Sequence, residues 1–327
     1  MPDKIKWGIL STGRIAGKMA EAIKRLPEAE LYAIGSRSSD SANAFADRYE
    51  IPKRYDSYEA LAADPDLDVI YVATPHNYHK DNSILCLENG KHVICEKPIA
   101  INARETADMI AAARKNKLFL MEAMWTRFLP IMVKFKEKLS EGVIGEPRWL
   151  YADFGFRAGW DPQSRLLNPN LAGGGLLDVG IYTISFAYWV MGAPKRVFSL
   201  ADIGETGVDE QNVAILEFDG GKLAMVSSAV RTNTPQEAVV AGTEGSIRIH
   251  QPWWRSDKMT VNAGGASELI EEPYGDNGFE FEAKETMKCI REGRTESRVM
   301  PLDESLAIMK TMDEMRAQWG LVYPMEK

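Results

Sequence analysis

The chain has 327 residues, 45% of them hydrophobic and 26% charged, and a formal net charge of −8 at pH 7. This composition is typical of a folded globular protein with two domains, and the acidic charge argues against a nucleic-acid or membrane-surface partner, since both need clustered Lys and Arg. Three widely spaced cysteines and an N-terminus without a secretory signal predict a reduced, cytoplasmic protein whose partner is a small molecule.

The first third of the chain alternates short apolar runs with helical patterns, as repeated βαβ units around a parallel sheet do. A C-terminal helix cap is expected at Gly90. We predict a first domain over residues 1–123, with strands at 5–10, 31–36, 68–73, 92–95 and 118–121 and helices at 15–26, 41–49, 58–63, 82–89 and 103–116.

From residue 124 to residue 327 the pattern changes to successive strands joined by short turns, which predicts an open, mostly antiparallel sheet with helices on one face. The apolar run at 181–191 is too short to span a bilayer, so we expect a buried helix there. Strands are predicted at 148–156, 197–203, 211–218, 222–230, 237–250 and 258–263, and helices at 130–140, 176–191, 276–292 and 303–319.

Two of these strands are apolar on both faces, at Val213–Leu216 and again at Leu223–Val226. The domain's own helices can cover one face, while the other needs a second cover. We therefore predict that the open sheet forms the contact in a homodimer or higher homo-oligomer.

The loop after the first strand has the form of the dinucleotide-binding fingerprint G-x-G-x-x-G/A, with its first glycine replaced by serine. The glycine lets the backbone approach a pyrophosphate, the last small residue allows close helix–strand packing, and the helix N-terminus stabilises the phosphate charge. A simple tight turn is the alternative. The predicted cofactor-binding residues of this loop are Ser11, Thr12, Gly13, Arg14 and Ile15, followed by Ala16.

The end of the second strand distinguishes between cofactors, because an acidic residue there would bind the ribose hydroxyl of NAD. This chain has Ser36 and Arg37 instead, and a hydroxyl and a guanidinium suit a 2′-phosphate. NADP is therefore favoured, with NAD still open and a solvated surface arginine as the alternative for Arg37.

Three side chains could carry a hydride-transfer reaction: Lys97, Asp178 and Tyr182. Lys97 follows Glu96 at the carboxyl end of a strand, and Tyr182 lies four residues after Asp178, on one helical face. Tyr182 could donate a proton to a developing alkoxide, made more acidic by Lys97, while Asp178 orients Lys97 or a substrate hydroxyl. The alternatives are a surface lysine, a helix cap and a core tyrosine. A buried Asp178 should have a paired cation or a ligand.

A further group of residues follows the strand at 68–73, again at a carboxyl end. We expect Thr74, Pro75, His76 and His79 to line the cofactor site, although a structural role for His79 is equally open. No metal site is expected, because the histidines lack a supporting carboxylate or cysteine pattern.

Taken together, the fingerprint, Thr74-Pro75 with His79, Glu96-Lys97-Pro98 and the Asp178–Tyr182 segment resemble the glucose–fructose oxidoreductase / inositol dehydrogenase superfamily over the whole chain. The resemblance implies a doubly wound Rossmann domain, followed by an α+β domain whose large open sheet makes the dimer contact.

Tyrosine at position 182, where many members have histidine, together with the segment Glu122–Phe128, is similar to the dimeric dihydrodiol dehydrogenase branch. That similarity implies a sugar or trans-dihydrodiol substrate, Tyr182 as acid/base with Lys97 and Asp178 as partners, and an aromatic pocket. Trp125 and Phe154 are candidates for its wall, and Trp254 and Phe279 are weaker ones. Other sugar or inositol dehydrogenases, a 1,5-anhydrofructose-type reductase, a sugar hydrolase using bound NAD and a non-catalytic NAD(P)-binding regulator stay open as alternatives.

Overall fold

The structure is a computed structural model that describes residues 4–275 and 277–327. The strands are β1 (Ile5–Leu10), β2 (Ala29–Gly35), β3 (Lys53–Tyr55), β4 (Val69–Val72), β5 (His92–Glu96), β6 (Leu120–Ala123), β7 (Pro147–Gly155), β8 (Arg196–Ile203), β9 (Asp209–Glu217), β10 (Leu223–Ala229), β11 (Ala238–Gly242), β12 (Gly245–Ile249), β13 (Lys258–Ala263) and β14 (Ala266–Glu271). The α-helices are α1 (Arg14–Lys24), α2 (Ser39–Tyr49), α3 (Tyr58–Ala62), α4 (His79–Glu88), α5 (Ala103–Asn116), α6 (Pro130–Ser140), α7 (Ile181–Met191), α8 (Phe279–Arg291) and α9 (Leu302–Trp319).

The chain divides into two compact units, Met1–Trp125 with Asp276–Leu306, and Thr126–Gly275 with Ala307–Lys327. The predicted single boundary after residue 123 would place α8 in the second domain. In the structure α8 belongs to the first unit, where it packs against α1. This packing joins segments that are far apart in the sequence, so no local pattern indicates it. The predicted start of α8, residue 276, lies outside the described residues.

The first unit contains a parallel sheet with the strand order β3-β2-β1-β4-β5-β6. The order reverses between β1 and β4, whose residues Trp7 and Val69 are paired, and a crevice for ligands opens at such a point beside the carboxyl ends of the strands. β4 is buried along its whole length, as expected for a central strand covered on both faces. The predicted doubly wound fold is confirmed.

The described part of the first unit adds one strand that the sequence pattern did not predict. β3 is a three-residue edge strand, Lys53–Tyr55, with no buried residue, and it pairs with β2. Its polar sequence carries no apolar run. The predicted cap at Gly90 is present, because Gly90 has φ +77° after the end of α4, and Lys91 N–H donates to Cys86 O at 3.0 Å.

The second unit contains a sheet with the order β14-β13-β12-β11-β7-β10-β9-β8. Its neighbouring strands are antiparallel except β7 and β10, which pair in parallel, so the predicted mostly antiparallel sheet is confirmed. The predicted strand 237–250 is wrong as one element, because a turn at residues 243–244 divides it into the hairpin β11–β12. The edge strand β14 was missed, since its residues are nearly all exposed.

Only one face of this sheet is covered within the unit. Leu216 and Val226 are buried on the face that α7 covers, while their neighbours along the strands point away. The segment Pro169–Met191 is long and apolar enough to cross a membrane, yet 94% of its apolar window is buried inside the protein, as predicted for a core helix. The opposite face exposes large apolar side chains, namely Trp149, Phe198, Leu200, Val213, Ile215, Leu223 and Met225.

Candidate active site

The predicted phosphate loop connects β1 to α1. Ser11 N–H donates to Gly35 O at 2.9 Å, and Ser11 adopts φ +103°, a conformation that favours glycine. The serine therefore occupies a backbone shape for which the usual first glycine of the fingerprint is suited. α1 begins after Gly13 without a side-chain cap and without an acidic residue in its first turn. Such an N-terminus fits a diphosphate, because its N–H groups and dipole favour an anion.

Close packing of α1 explains the small residues that follow the loop. Ala16 is fully buried, and a Cβ on Gly17 would lie 2.4 Å from the hydroxyl of Tyr49 on α2. The small-residue requirement of the fingerprint thus arises from helix packing in this chain.

Arg37 lies exposed at the end of β2, beside two tyrosines. Its guanidinium is 6.0 Å from the ring centroid of Tyr78. Burial raises the pKa of Tyr58, and the nearby charge of Arg37 acts in the opposite direction. Ser36 is buried and donates its N–H to Tyr55 O at 3.0 Å, while Ser38 caps α2. The backbone is therefore hydrogen-bonded at Ser36, before Arg37, and Ser38 caps α2 directly after it. The contact of Arg37 with a 2′-phosphate stays a prediction.

His79 is fully buried and joins two loops of the first unit. Its Nδ1 lies 2.8 Å from Pro98 O and its Nε2 lies 2.8 Å from Thr74 O. Burial lowers the pKa of His79 to about 4, so the neutral ring donates one N–H to one of these carbonyls. The structural role left open for this histidine is therefore present: it links the Thr74-Pro75 loop to the segment that carries Lys97.

Glu96 is buried immediately before Lys97. It accepts hydrogen bonds from the hydroxyl of Tyr71 and from Lys97 N–H, the latter at 3.2 Å. Glu282 of α8 is fully buried, and within residues 4–275 and 277–327 neither of its carboxyl oxygens has a hydrogen-bond partner. Burial, followed by the charge of Glu96, raises the pKa of Glu282 well above its ordinary range.

Glu282 was not predicted from the sequence, although helical spacing contains a signal for it. Glu282 lies on the same face of α8 as Phe279, Ala283 and Thr286, all of which are buried. An acidic residue on the apolar face of a helix indicates a carboxyl group inside the core.

In the second unit, Asp178 and Tyr182 lie on one continuous helical segment. A wide π-helical turn, Leu176–Gly180, contains Asp178 and leads into α7, which contains Tyr182. Both side chains are buried. Arg165 Nη1 donates to Asp178 Oδ1 at 2.7 Å, and Arg165 Nη2 lies 3.5 Å from Oδ2. The expected cation partner is therefore present within the unit, and the sequence analysis missed its identity.

The aromatic residues form two stacks, one in each unit. In the second unit, Phe154 lies face to face with Trp254, with ring centroids 3.3 Å apart and planes at 10°, and its centroid is 5.3 Å from that of Tyr182. In the first unit, Trp125 stacks on Phe279 at 5.2 Å. Tyr182 is thus bordered by a flat apolar surface. Among residues 4–275 and 277–327, no group of three or more His, Cys, Asp and Glu side chains could hold a metal ion.

Two family models together match most of the chain. The first, described as an oxidoreductase family with an NAD-binding Rossmann fold, matches residues 5–124, and the second, a GFO/IDH/MocA C-terminal domain, matches residues 132–248. The chain belongs to the GFO/IDH/MocA oxidoreductase family. This result confirms the family resemblance that the motifs predicted. It also agrees with the N-terminus of α1, which has no side-chain cap and fits a diphosphate.

Relatives of the same family match over the full length. The chain is 38% identical to a trans-1,2-dihydrobenzene-1,2-diol dehydrogenase of Xenopus tropicalis, over 98% of this chain and 99% of the relative, and 36% identical to that of Homo sapiens, over 99% of each. Among solved structures, an aldose-aldose oxidoreductase from Caulobacter crescentus matches with a TM-score of 0.88 at 26% identity, over 97% of this chain and 98% of the other. A 3-ketoreductase from Actinomadura kijaniata in complex with NADP matches with a TM-score of 0.87 at 25% identity, over 96% and 98%.

Proposed function

We propose that this GFO/IDH/MocA oxidoreductase is an NADP-dependent dehydrogenase that transfers a hydride between nicotinamide and the hydroxyl-bearing carbon of a sugar or a trans-dihydrodiol. One observation carries the proposal: Tyr182, a residue able to exchange a proton, is buried against Phe154 on the helical segment that also holds Asp178. A buried phenol beside a flat apolar wall, on the same helical segment as a carboxylate, suits a proton transfer that accompanies hydride transfer.

The proposed division of labour assigns one task to each side chain. The nicotinamide, when bound, accepts or supplies the hydride. Tyr182 removes the proton of the substrate hydroxyl during oxidation and returns it during reduction. The ammonium of Lys97 stabilises the phenolate, and Asp178, neutralised by Arg165, orients Lys97 or a substrate hydroxyl. We assign the following residues to the surroundings of the dinucleotide: Ser11–Ile15, Ser36, Arg37, Thr74–His76 and Glu96.

The NADP preference rests on Arg37. It is the exposed cation at the end of β2, where an acidic residue would select NAD. A guanidinium can bind a 2′-phosphate through two parallel hydrogen bonds. The complex of the Actinomadura 3-ketoreductase with NADP supports this assignment.

The substrate class rests on the Phe154–Trp254 stack. Its flat apolar face suits the ring of a dihydrodiol or the apolar face of a sugar, while Asp178 and Tyr182 supply polar atoms beside it. The names of the relatives, a trans-dihydrodiol dehydrogenase and an aldose-aldose oxidoreductase, point to the same two classes.

We further propose a cytoplasmic homodimer. Cys86, Cys95 and Cys289 are free and buried, which suits a reducing compartment. The uncovered face of the second sheet exposes Leu200 by 76% and Ile215 by 50%, and a contiguous apolar patch of this kind marks a protein contact. A second copy of the chain would cover it.

The test is the initial rate of NADP⁺ and NAD⁺ reduction with D-xylose, D-glucose, myo-inositol and a trans-dihydrodiol, for the wild type and Tyr182→Phe. We expect NADP⁺ reduction with at least one substrate and a loss of turnover by a factor of about 100 or more in the variant. Tyr188→Phe is the matched control on the same helix, since the Tyr188 hydroxyl bonds Ala307 O and Thr311 in the core. Full turnover in Tyr182→Phe would exclude Tyr182 as the proton donor, and nucleotide binding without turnover would favour a regulator or a redox-assisted hydrolase.

A further inference from the structure

The helical segment that carries Asp178 and Tyr182 begins in a turn of three glycines, Gly173–Gly175. Side chains from distant parts of the sequence contact this turn. The hydroxyl of Tyr323 donates to Gly173 O at 2.7 Å. Gly174 has φ +117°, and a Cβ at this position would lie 2.2 Å from Asp209 Oδ1. Glycine is therefore required there both for the backbone conformation and for the approach of a carboxyl group.

Asp209 is fully buried at the start of β9 and bonds directly to this helix N-terminus. Its Oδ2 accepts a hydrogen bond from Leu176 N–H at 2.7 Å and another from Asn212 Nδ2, also at 2.7 Å. Asn212 donates in turn to the hydroxyl of Ser228 at 2.8 Å.

These bonds place Asp209 where it controls the position of the helix. Leu176 is the first residue of the wide turn that contains Asp178. A free N–H at a buried helix start is costly, and a carboxylate is a strong acceptor for it. The π-helical turn has no side-chain cap of its own, so the acceptor for Leu176 N–H comes from another element, the strand β9.

We propose that Asp209 is a positioning residue for the reaction: its carboxyl group fixes the start of the segment that presents Asp178 and Tyr182. This inference rests on the proposed function, in which those two side chains act on the substrate. In this assignment Asp209 acts through the backbone N–H of Leu176.

Several charged and titratable groups face Asp209. Burial raises the pKa of Asp209 to about 7, while the N–H of Leu176, the amide of Asn212 and the charge of Arg316 act in the opposite direction. Arg316 lies on α9 and is paired with Glu326 and Asp313, and the phenol of Tyr323 lies near the carboxyl group as well.

The ionised and protonated forms differ in how firmly they hold the turn. The ionised carboxylate accepts a charge-assisted hydrogen bond from Leu176 N–H, and the positive end of the helix dipole stabilises its charge. The protonated form is a weaker acceptor. Turnover should therefore rise with pH through the titration of Asp209.

Two variants separate charge from hydrogen bonding. Asp209→Asn keeps an oxygen that can accept from Leu176 N–H and Asn212, but it does not ionise. Asp209→Ala removes the acceptor. Asp64→Asn is the matched control: Asp64 is another buried aspartate, bonded to Lys53 and Tyr55 in the first unit, with a lowered pKa. The measurements are kcat against pH, the affinity for NADP⁺, and amide hydrogen exchange of residues 173–182.

If Asp209 positions the segment, Asp209→Ala lowers kcat by about tenfold, leaves the affinity for NADP⁺ within about twofold, and speeds amide exchange of residues 173–182. Asp209→Asn retains turnover in acid buffer and loses the inflection near neutral pH, whereas Asp64→Asn keeps it. Wild-type kcat and exchange in Asp209→Ala, or a retained inflection in Asp209→Asn, would overturn the proposal.

The two proposals fail in different ways. Absence of turnover in the wild type on every substrate overturns the proposed function, and the exchange of residues 173–182 in Asp209→Ala then decides the role of Asp209 alone. If Asp209→Ala does not fold, the protection of the same segment in Asp209→Asn, measured relative to the intrinsic exchange rate at each pH, decides it: protection that does not change with pH supports the role, and the wild-type dependence of protection on pH overturns it.

Discussion

Arg165 donates from Nη1 to Oδ1 of Asp178 at 2.7 Å, with the arginine side chain 52% exposed and the aspartate side chain 7% exposed. The cation thus reaches inward from the surface to a carboxylate on the segment that also carries Tyr182. A buried carboxylate without a partner would be strongly disfavoured in its charged form. Arg165 therefore supplies the cation partner that a buried carboxylate requires.

Removal of this cation should impair turnover. We expect Arg165→Met to lower kcat/KM by about tenfold, which corresponds to the loss of about 1.4 kcal/mol from a charge-assisted hydrogen bond that is partly screened by solvent. Arg165→Lys should fall in between. Arg248→Met is the control, since the exposed Arg248 of β12 pairs with Glu237 in the same unit. Equal kinetic constants for Arg165→Met and the wild type would contradict a role for this pair.

The cofactor preference should follow the charge at position 37. We expect Arg37→Asp to reduce kcat/KM for NADP⁺ by about tenfold or more, because a carboxylate repels a 2′-phosphate, and to improve the use of NAD⁺. Steady-state kinetics with both nucleotides measure the ratio. Arg48→Asp, a like charge change at the exposed end of α2, controls for net charge. An unchanged ratio in Arg37→Asp would count against the assignment.

The positive φ of Ser11 predicts a stabilising substitution. Ser11→Gly should raise the free energy of unfolding by about 0.5–1 kcal/mol, because glycine adopts φ +103° without steric cost, partly offset by its greater freedom in the unfolded chain. Urea unfolding measures this change. Ser11→Ala, which keeps the Cβ, should bring no such gain, and equal gains in both variants would point to the hydroxyl instead of the backbone.

The sequence predicted those parts of the molecule that local patterns encode. Alternating apolar runs and helical spacing indicated the central strands of both sheets, and Asp178 was expected to have a paired cation or a ligand. Edge strands such as β3 and β14 carry no apolar pattern, so they were missed. The partners Arg165, Asp209 and Glu282 come from other elements, and only the folded chain brings them to Asp178, Leu176 and Glu96.

The uncovered face of the second sheet should hold two copies together. We expect Leu200→Asp combined with Ile215→Asp to convert a dimer into monomers, because two charges would be buried in an apolar contact. Sedimentation velocity measures the state. Val322→Asp, an exposed apolar residue near the C-terminus, is the control. A dimer that persists in the double variant, or a monomeric wild type, would place the contact elsewhere or remove it.

Glu282 should make stability depend on pH in a specific direction. Its pKa is raised in the folded state by burial and by the charge of Glu96, so the folded chain keeps a proton that the unfolded chain releases above the ordinary carboxyl range. The resulting stabilisation is complete below that range and is lost as pH rises through the folded-state pKa. The free energy of unfolding should therefore fall with rising pH in this window.

Glu282→Gln tests this dependence, because glutamine has a similar shape and does not ionise. We expect the variant to be more stable than the wild type at neutral pH, by on the order of 1–3 kcal/mol, and to show a flatter pH dependence. Urea unfolding at several pH values measures both quantities. Glu292→Gln, at the exposed end of α8, should change neither. If Glu282→Gln is instead less stable than the wild type at neutral pH, the ionised carboxyl makes a favourable contact in the folded chain, and the expected fall of stability with rising pH does not arise from Glu282.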